Sequence, residues 1–124
     1  MAINEDYRQV EIAAEVEHAA RTLAHSTFAV PNPIDSYDML GELTRTVDHL
    51  EQVARQLGRW HGTAVESGRT HPDQEVLAVR ANARTAAEAL ARATDALSAA
   101  ADELRAAHSA NGVIRWAEPM GETP

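Results

Sequence analysis

The side chains that could do chemistry in this 124-residue chain are six histidines, eleven arginines and nineteen acids, and their spacing denies most reactions. A zinc site asks for converging ligands, typically two histidines four apart with a third ligand nearby. Here the closest pair, His18 and His25, is seven apart, and His49, His61, His71 and His108 are scattered. The acid pairs Glu15 with Glu17, Asp48 with Glu51 and Asp102 with Glu103 lack the Glu-x-x-His spacing of di-metal bundles and read as solvated faces. His49 has the outward position of a phosphotransfer histidine, but Glu51 beside it would repel a phosphoryl group. There is no Cys, which removes thiolate nucleophiles, thiolate metal sites and disulfides. The reading is a non-enzyme with no catalytic residue, no metal and no cofactor.

The cations are all arginine and are unevenly placed. From Gln52 to Thr85 five arginines, Arg55, Arg59, Arg69, Arg80 and Arg84, stand against three acids, whereas the rest of the chain sets six against sixteen. A net charge of −8 speaks against a general binder of nucleic acid or anionic membrane. The local arginine cluster leaves one narrower alternative, a nucleic-acid accessory protein that clamps phosphate there.

What must position these residues is helical. Leu40, Leu43, Val47, Leu50, Ala54, Leu57, His61 and Ala64 recur at spacings of three and four. So do Val76, Val79, Ala83, Ala86, Leu90, Ala93, Leu97, Ala100, Leu104 and Ala107, the signature of a coiled-coil-like seam. The two arms meet at Ser67-Gly68-Arg69-Thr70, which predicts a long antiparallel helical hairpin. A third apolar stripe, Ile12, Val16, Ala19 and Leu23, precedes it. The expected fold is all-α, an antiparallel three-helix bundle in one domain spanning 1–124, with helices over about 5–27, 37–66 and 71–111 and a frayed tail from about 117.

Local signals set the boundaries. Pro31 and Pro33 exclude helix between the first two elements. Phe28, Val30 and Ile34 in that loop are expected to plug the end of the bundle, with Val113-Ile114-Arg115-Trp116 folding onto them or docking another protein. Asp35 or Ser36 is the expected cap of the second helix, Thr70 or His71 that of the third with Pro72 in its first turn, and Asn111-Gly112 its stop. Gly41, Gly58 and Gly62 inside the second helix point to close approach or a bend. A symmetric turn sets Leu40 level with Leu97, Val47 with Leu90, Ala54 with Ala83 and His61 with Val76.

In that arrangement the first helix covers only the leucine-rich half, leaving Leu57, Trp60, His61, Leu77 and Val79 at the hairpin tip as the expected interaction surface. The partner expected there is a second copy, each basic tip meeting the other's acidic body. No apolar run suits a membrane span and no signal peptide is evident, so the expected location is cytoplasmic.

Two resemblances bear on this reading. Trp60-His61-Gly62 resembles the Trp-x-Gly signature of the Ala-rich, acidic helical hairpins exported by type VII secretion, which implies an exported alternative. In that family the motif sits in the turn and a Tyr-x-x-x-Asp/Glu signal follows; here it precedes the expected turn, and the one such match, Tyr7 with Glu11, is at the opposite end. Over most of its length, through Asp48-His49-Leu50-Glu51-Gln52-Val53, Trp60-His61, Ala107-His108-Ser109-Ala110-Asn111-Gly112 and Arg115-Trp116, the chain is similar to small actinobacterial helical proteins of mobile-element or streptomycete type. That resemblance implies the same helical core and brings no activity.

Overall fold

The computed structural model describes residues 6–117 and is all-α, with no strand among those residues. A 3-10 turn at Asp6–Arg8 leads into α1 (Gln9–Ser26), followed by α2 (Asp35–Ala64) and α3 (Val76–Asn111). Glu5 and the tail beyond residue 117 lie outside the described residues. The chain forms two compact units, one holding α1 and the proline loop to Asp35, the other spanning Ser36–Arg115.

In the first unit, Arg8 bonds Glu11 and Glu15 at 3.0 and 3.3 Å, and Arg21 bonds Glu17 at 2.8 Å, so α1 is laced along its surface by its own charges. Ile12 and Leu23 are half-buried and no α1 residue is fully buried. Thr27 ends the helix, its backbone N–H and its hydroxyl both donating to Leu23 O at 2.9 Å. The proline loop is not an apolar plug. Phe28 is 89% exposed, its ring edge-on to His25 one turn back at 6.0 Å, and Ile34 is exposed as well. The prolines leave no regular element to press these side chains inward.

The second unit is the hairpin. Its turn follows the expected chemistry. Gly68 has φ +71°, Gly68 N–H donates to Val65 O and Arg69 N–H to Ala64 O, each at 3.2 Å. That pair of bonds is a Schellman motif with glycine at the left-handed position, which a Cβ would strain. The next boundary departs from expectation: α3 opens at Val76, not at Thr70 or His71. Pro72 biases His71 away from helix, and the Glu75 carboxylate takes the cap, accepting from Leu77 N–H and Ala78 N–H at 3.0 Å each.

This longer connection resets the register. Gly58 lies against Leu90 and Ala87, not against the Val79 level that a tight symmetric turn requires. Further toward the open end, Asp48 accepts from Arg105 at 3.0 Å, Tyr37 stacks on His108 with ring centroids 4.1 Å apart, and Ser36 accepts from Asn111 at 2.9 Å. Hence Leu40 is not level with Leu97, nor Ala54 with Ala83, nor His61 with Val76. Gly112 ends α3 in a right-handed conformation; a Cβ there would meet the Tyr37 ring at 3.1 Å, so its smallness serves packing.

The seam keeps most of its expected positions, with Leu40, Leu43, Val47, Ala54, His61 and Ala64 of α2 and Val79, Ala83, Ala86, Leu90, Ala93, Leu97 and Leu104 of α3 buried or half-buried, but not all of them. Gly41, Thr44, Ala54 and Ala64 of α2 and Thr94 and Ala101 of α3 are buried, Ala101 completely, while Leu50, Leu57, Val76, Ala100 and Ala107 are exposed. An α-helix repeats every 3.6 residues, so a strict 3.5-residue pattern drifts about 20° per heptad, enough to bring Thr44, Gly58, Ala101 and His108 inward. The buried hydroxyls are satisfied within their own helices, Thr44 donating to Leu40 O at 2.7 Å and Thr94 to Leu90 O at 2.8 Å. The fully buried seam positions are thus small, flanked by half-buried Leu40, Leu43, Val47, Leu90, Leu97 and Leu104, and no large side chain of the described residues is fully buried.

Candidate interaction surface

Around Ala54 and Gly58, which face the seam, the large side chains of α2 lie to one side. On α2, Leu50, Val53, Leu57 and Trp60 follow at spacings of three, four and three, and therefore form one stripe. They are between 37 and 49% exposed. The matching side of α3 carries Ala86, Ala89, Ala93, Ala96 and Ala100, of which Ala89, Ala96 and Ala100 are exposed. This flank of the hairpin is accordingly apolar across both helices, a bulky row beside a shallow one.

The opposite flank has charged rims over a floor of small residues, Ala83, Ala87 and Ala91 among them. A surface groove of about 320 Å³ runs between His61 and Gly62 of α2, Glu66 of the turn, and Arg80, Arg84 and Glu88 of α3. A second, of about 350 Å³, is bordered by Arg55, Arg59 and Asp95, and the two share Ala87 and Ala91. The fold therefore gathers four of the five clustered arginines on one face, and leaves Arg69 in the turn. Their charge is largely answered there. Arg55 pairs with Glu51 one turn back, Arg80 lies 3.8 Å from Glu66, and Glu88 and Asp95 stand in the same grooves.

The five expected interaction residues do not form one patch. Leu57 and Trp60 belong to the apolar stripe. His61 is half-buried, its Nδ1 2.8 Å from Leu57 O and its ring edge-on to Trp60 at 4.9 Å, so it turns from the stripe into the first groove. Leu77, 72% exposed, shares its helix row with Arg80 and Arg84. Val79 is half-buried at the start of α3. The expectation of seam positions for Leu50 and Leu57 concealed the stripe. The signal that reveals it is the parallel row of small residues, Gly41, Thr44, Ala54 and Gly58, which lets the helices approach without the leucines.

Among the described residues, no three histidines or acids converge as a metal site, and no helix is long and apolar enough to cross a membrane. The Arg105 guanidinium is held above its usual pKa, chiefly by its hydrogen bond to Asp102 and further by Asp48, and Arg21 is raised by Glu17. Their bridges are exposed to solvent, which screens them. Comparison with known proteins finds no matching family model, no matching curated protein and no matching solved structure.

Proposed function

We propose that this is a non-enzymatic, cytoplasmic interaction protein, a helical scaffold or adaptor whose working surface is the apolar flank of the hairpin. The observation that carries the reading is the stripe Leu50, Val53, Leu57 and Trp60, four large apolar side chains about half exposed in one row of α2 beside the seam. Contiguous apolar surface of this kind marks a place where another surface docks. Full burial of such a side chain is worth roughly 1.5–3 kcal/mol, which gives the flank a strong tendency to find a cover.

The test is site-specific photo-crosslinking in the native host, with the crosslinker at position 57 on the apolar flank or at position 84 on the opposite one. Crosslinks to protein from position 57 and none from position 84 are expected. The reverse pattern rejects the reading.

A second reading has one observation in its favour, the gathering of Arg55, Arg59, Arg80 and Arg84 on a single face. A phosphate clamp there would retard DNA at low salt, lose affinity steeply as salt rises, and fail when Arg80 and Arg84 are both changed to Glu. The acids Glu51, Glu66, Glu88 and Asp95 among those arginines favour the first reading, because a phosphate backbone needs an excess of cation. Absence of retardation at low salt disposes of the second.

A further inference from the structure

Resting on the reading of the apolar flank as a docking surface, we infer that its occupant is a second copy of this chain, related by a two-fold axis running along the hairpin to give an antiparallel four-helix bundle.

The argument is one of shape. The flank is self-complementary, because its bulky row on α2 lies beside its shallow alanine row on α3. A two-fold axis parallel to the helices exchanges the rows, so each copy lays leucines and tryptophan over the other's alanines. Such an axis also keeps every residue at its own level. Gly58 lies against Leu90 and Ala87 within one chain, which brings Leu57 of one copy over Ala89 of the other, and Leu50 over Ala96. Every helix then packs antiparallel to both neighbours, with large side chains meeting small ones as close packing requires.

A two-fold axis across the hairpin would instead stack leucine row on leucine row and leave the alanine rows facing each other over a gap. Charge does not rescue that arrangement. Four of the five tip arginines lie on the far flank, so a basic tip cannot pair with a partner's acidic body through this face.

The size of the face suits a dimer. From Leu43 to Ala64, at about 1.5 Å per residue, it is roughly 30 Å long, and two helices about 10 Å apart make it roughly 20 Å wide. Its relief brings that area near the about 800 Å² per partner of a stable association.

The experiment uses the full chain, whose lack of cysteine allows single-cysteine variants to report proximity without interference. Sedimentation of the pure protein is expected to give twice 13.4 kDa, and Leu57→Glu to give the monomer mass with unchanged helical circular dichroism. Mixed under mild oxidation, Leu57→Cys and Ala89→Cys proteins are expected to form the mixed disulfide, and Leu57→Cys alone no disulfide with itself, since cysteines whose Cα atoms are more than about 7 Å apart cannot be bridged. Arg84→Cys, on the other flank, is expected to stay reduced as a control. A monomeric wild type, or Leu57→Cys linking to itself in place of the mixed pair, overturns the inference. A monomeric wild type that still crosslinks to protein from position 57 in the host overturns the second copy alone and leaves the docking reading standing.

Discussion

Two single residues control how the arms of the hairpin are joined, and each makes a separate prediction. Gly68 sits at φ +71° with open space around its Cα, so Gly68→Ala costs only conformational strain, about 1–2 kcal/mol, measurable by urea denaturation. Gly62 is the internal control. It lies inside α2 with nothing near the position a Cβ would take, so Gly62→Ala is expected to stabilise the protein by up to about 1 kcal/mol. Glu75 closes the connection by accepting two orphan N–H groups. Glu75→Ala is expected to cost about 1 kcal/mol, with hydrogen exchange quickening at Leu77 and Ala78 before the rest of α3. Equal stability of the Gly68→Ala and Gly62→Ala proteins would refute this account of the turn.

At the scale of the elements, the question is which residues each helix turns toward its neighbour. Ala101 is completely buried, whereas Ala107, a seam position on a strict heptad reading, is exposed. Enlarging them separates the two registers. Ala101→Leu should destabilise the hairpin by about 1–3 kcal/mol through overpacking, and Ala107→Leu should leave its melting transition nearly unchanged. The glycines of α2 are equally unlike one another. A Cβ at Gly58 would make ordinary contact with Leu90 at 3.5 Å, while at Gly41 it would crowd the His108 ring at 3.2 Å, the ring that stacks on Tyr37. Gly41→Ala should therefore weaken the open end of the hairpin, seen as loss of amide protection around His108, and Gly58→Ala should not.

At the scale of the molecule, large apolar side chains and most of the clustered arginines occupy opposite flanks of the hairpin. Association through the apolar flank with the axis along the hairpin sets acidic end beside acidic end, at a net charge of −8 per chain. Raising ionic strength shortens the screening length from about 10 Å at 0.1 M to about 3 Å at 1 M. Dimerisation followed by sedimentation is accordingly expected to tighten with salt. A head-to-tail pairing driven by basic tip and acidic body would weaken instead.

The amino-acid sequence by itself determined that the chain is helical, that it breaks at the prolines and how the hairpin turns, but not where α3 begins. What it determined is local: prolines at 31 and 33 forbid helix, Gly68 alone tolerates the left-handed turn, and apolar residues at spacings of three and four can form a stripe only on a helix. It did not determine which stripe faces which. A helix carrying both Leu50-Val53-Leu57-Trp60 and Gly41-Thr44-Ala54-Gly58 has two rows able to pack, and counting heptads puts Leu50 and Leu57 in one seam with Ala54. The tertiary structure kept Ala54 and turned Leu50 and Leu57 outward, which lets Gly58 approach Leu90. The register followed from a local contest, since Glu75 captured the start of α3 from the residues around Pro72. Close packing between two helices is a property of both surfaces at once, and the apolar flank left open by that choice exists only in the folded pair.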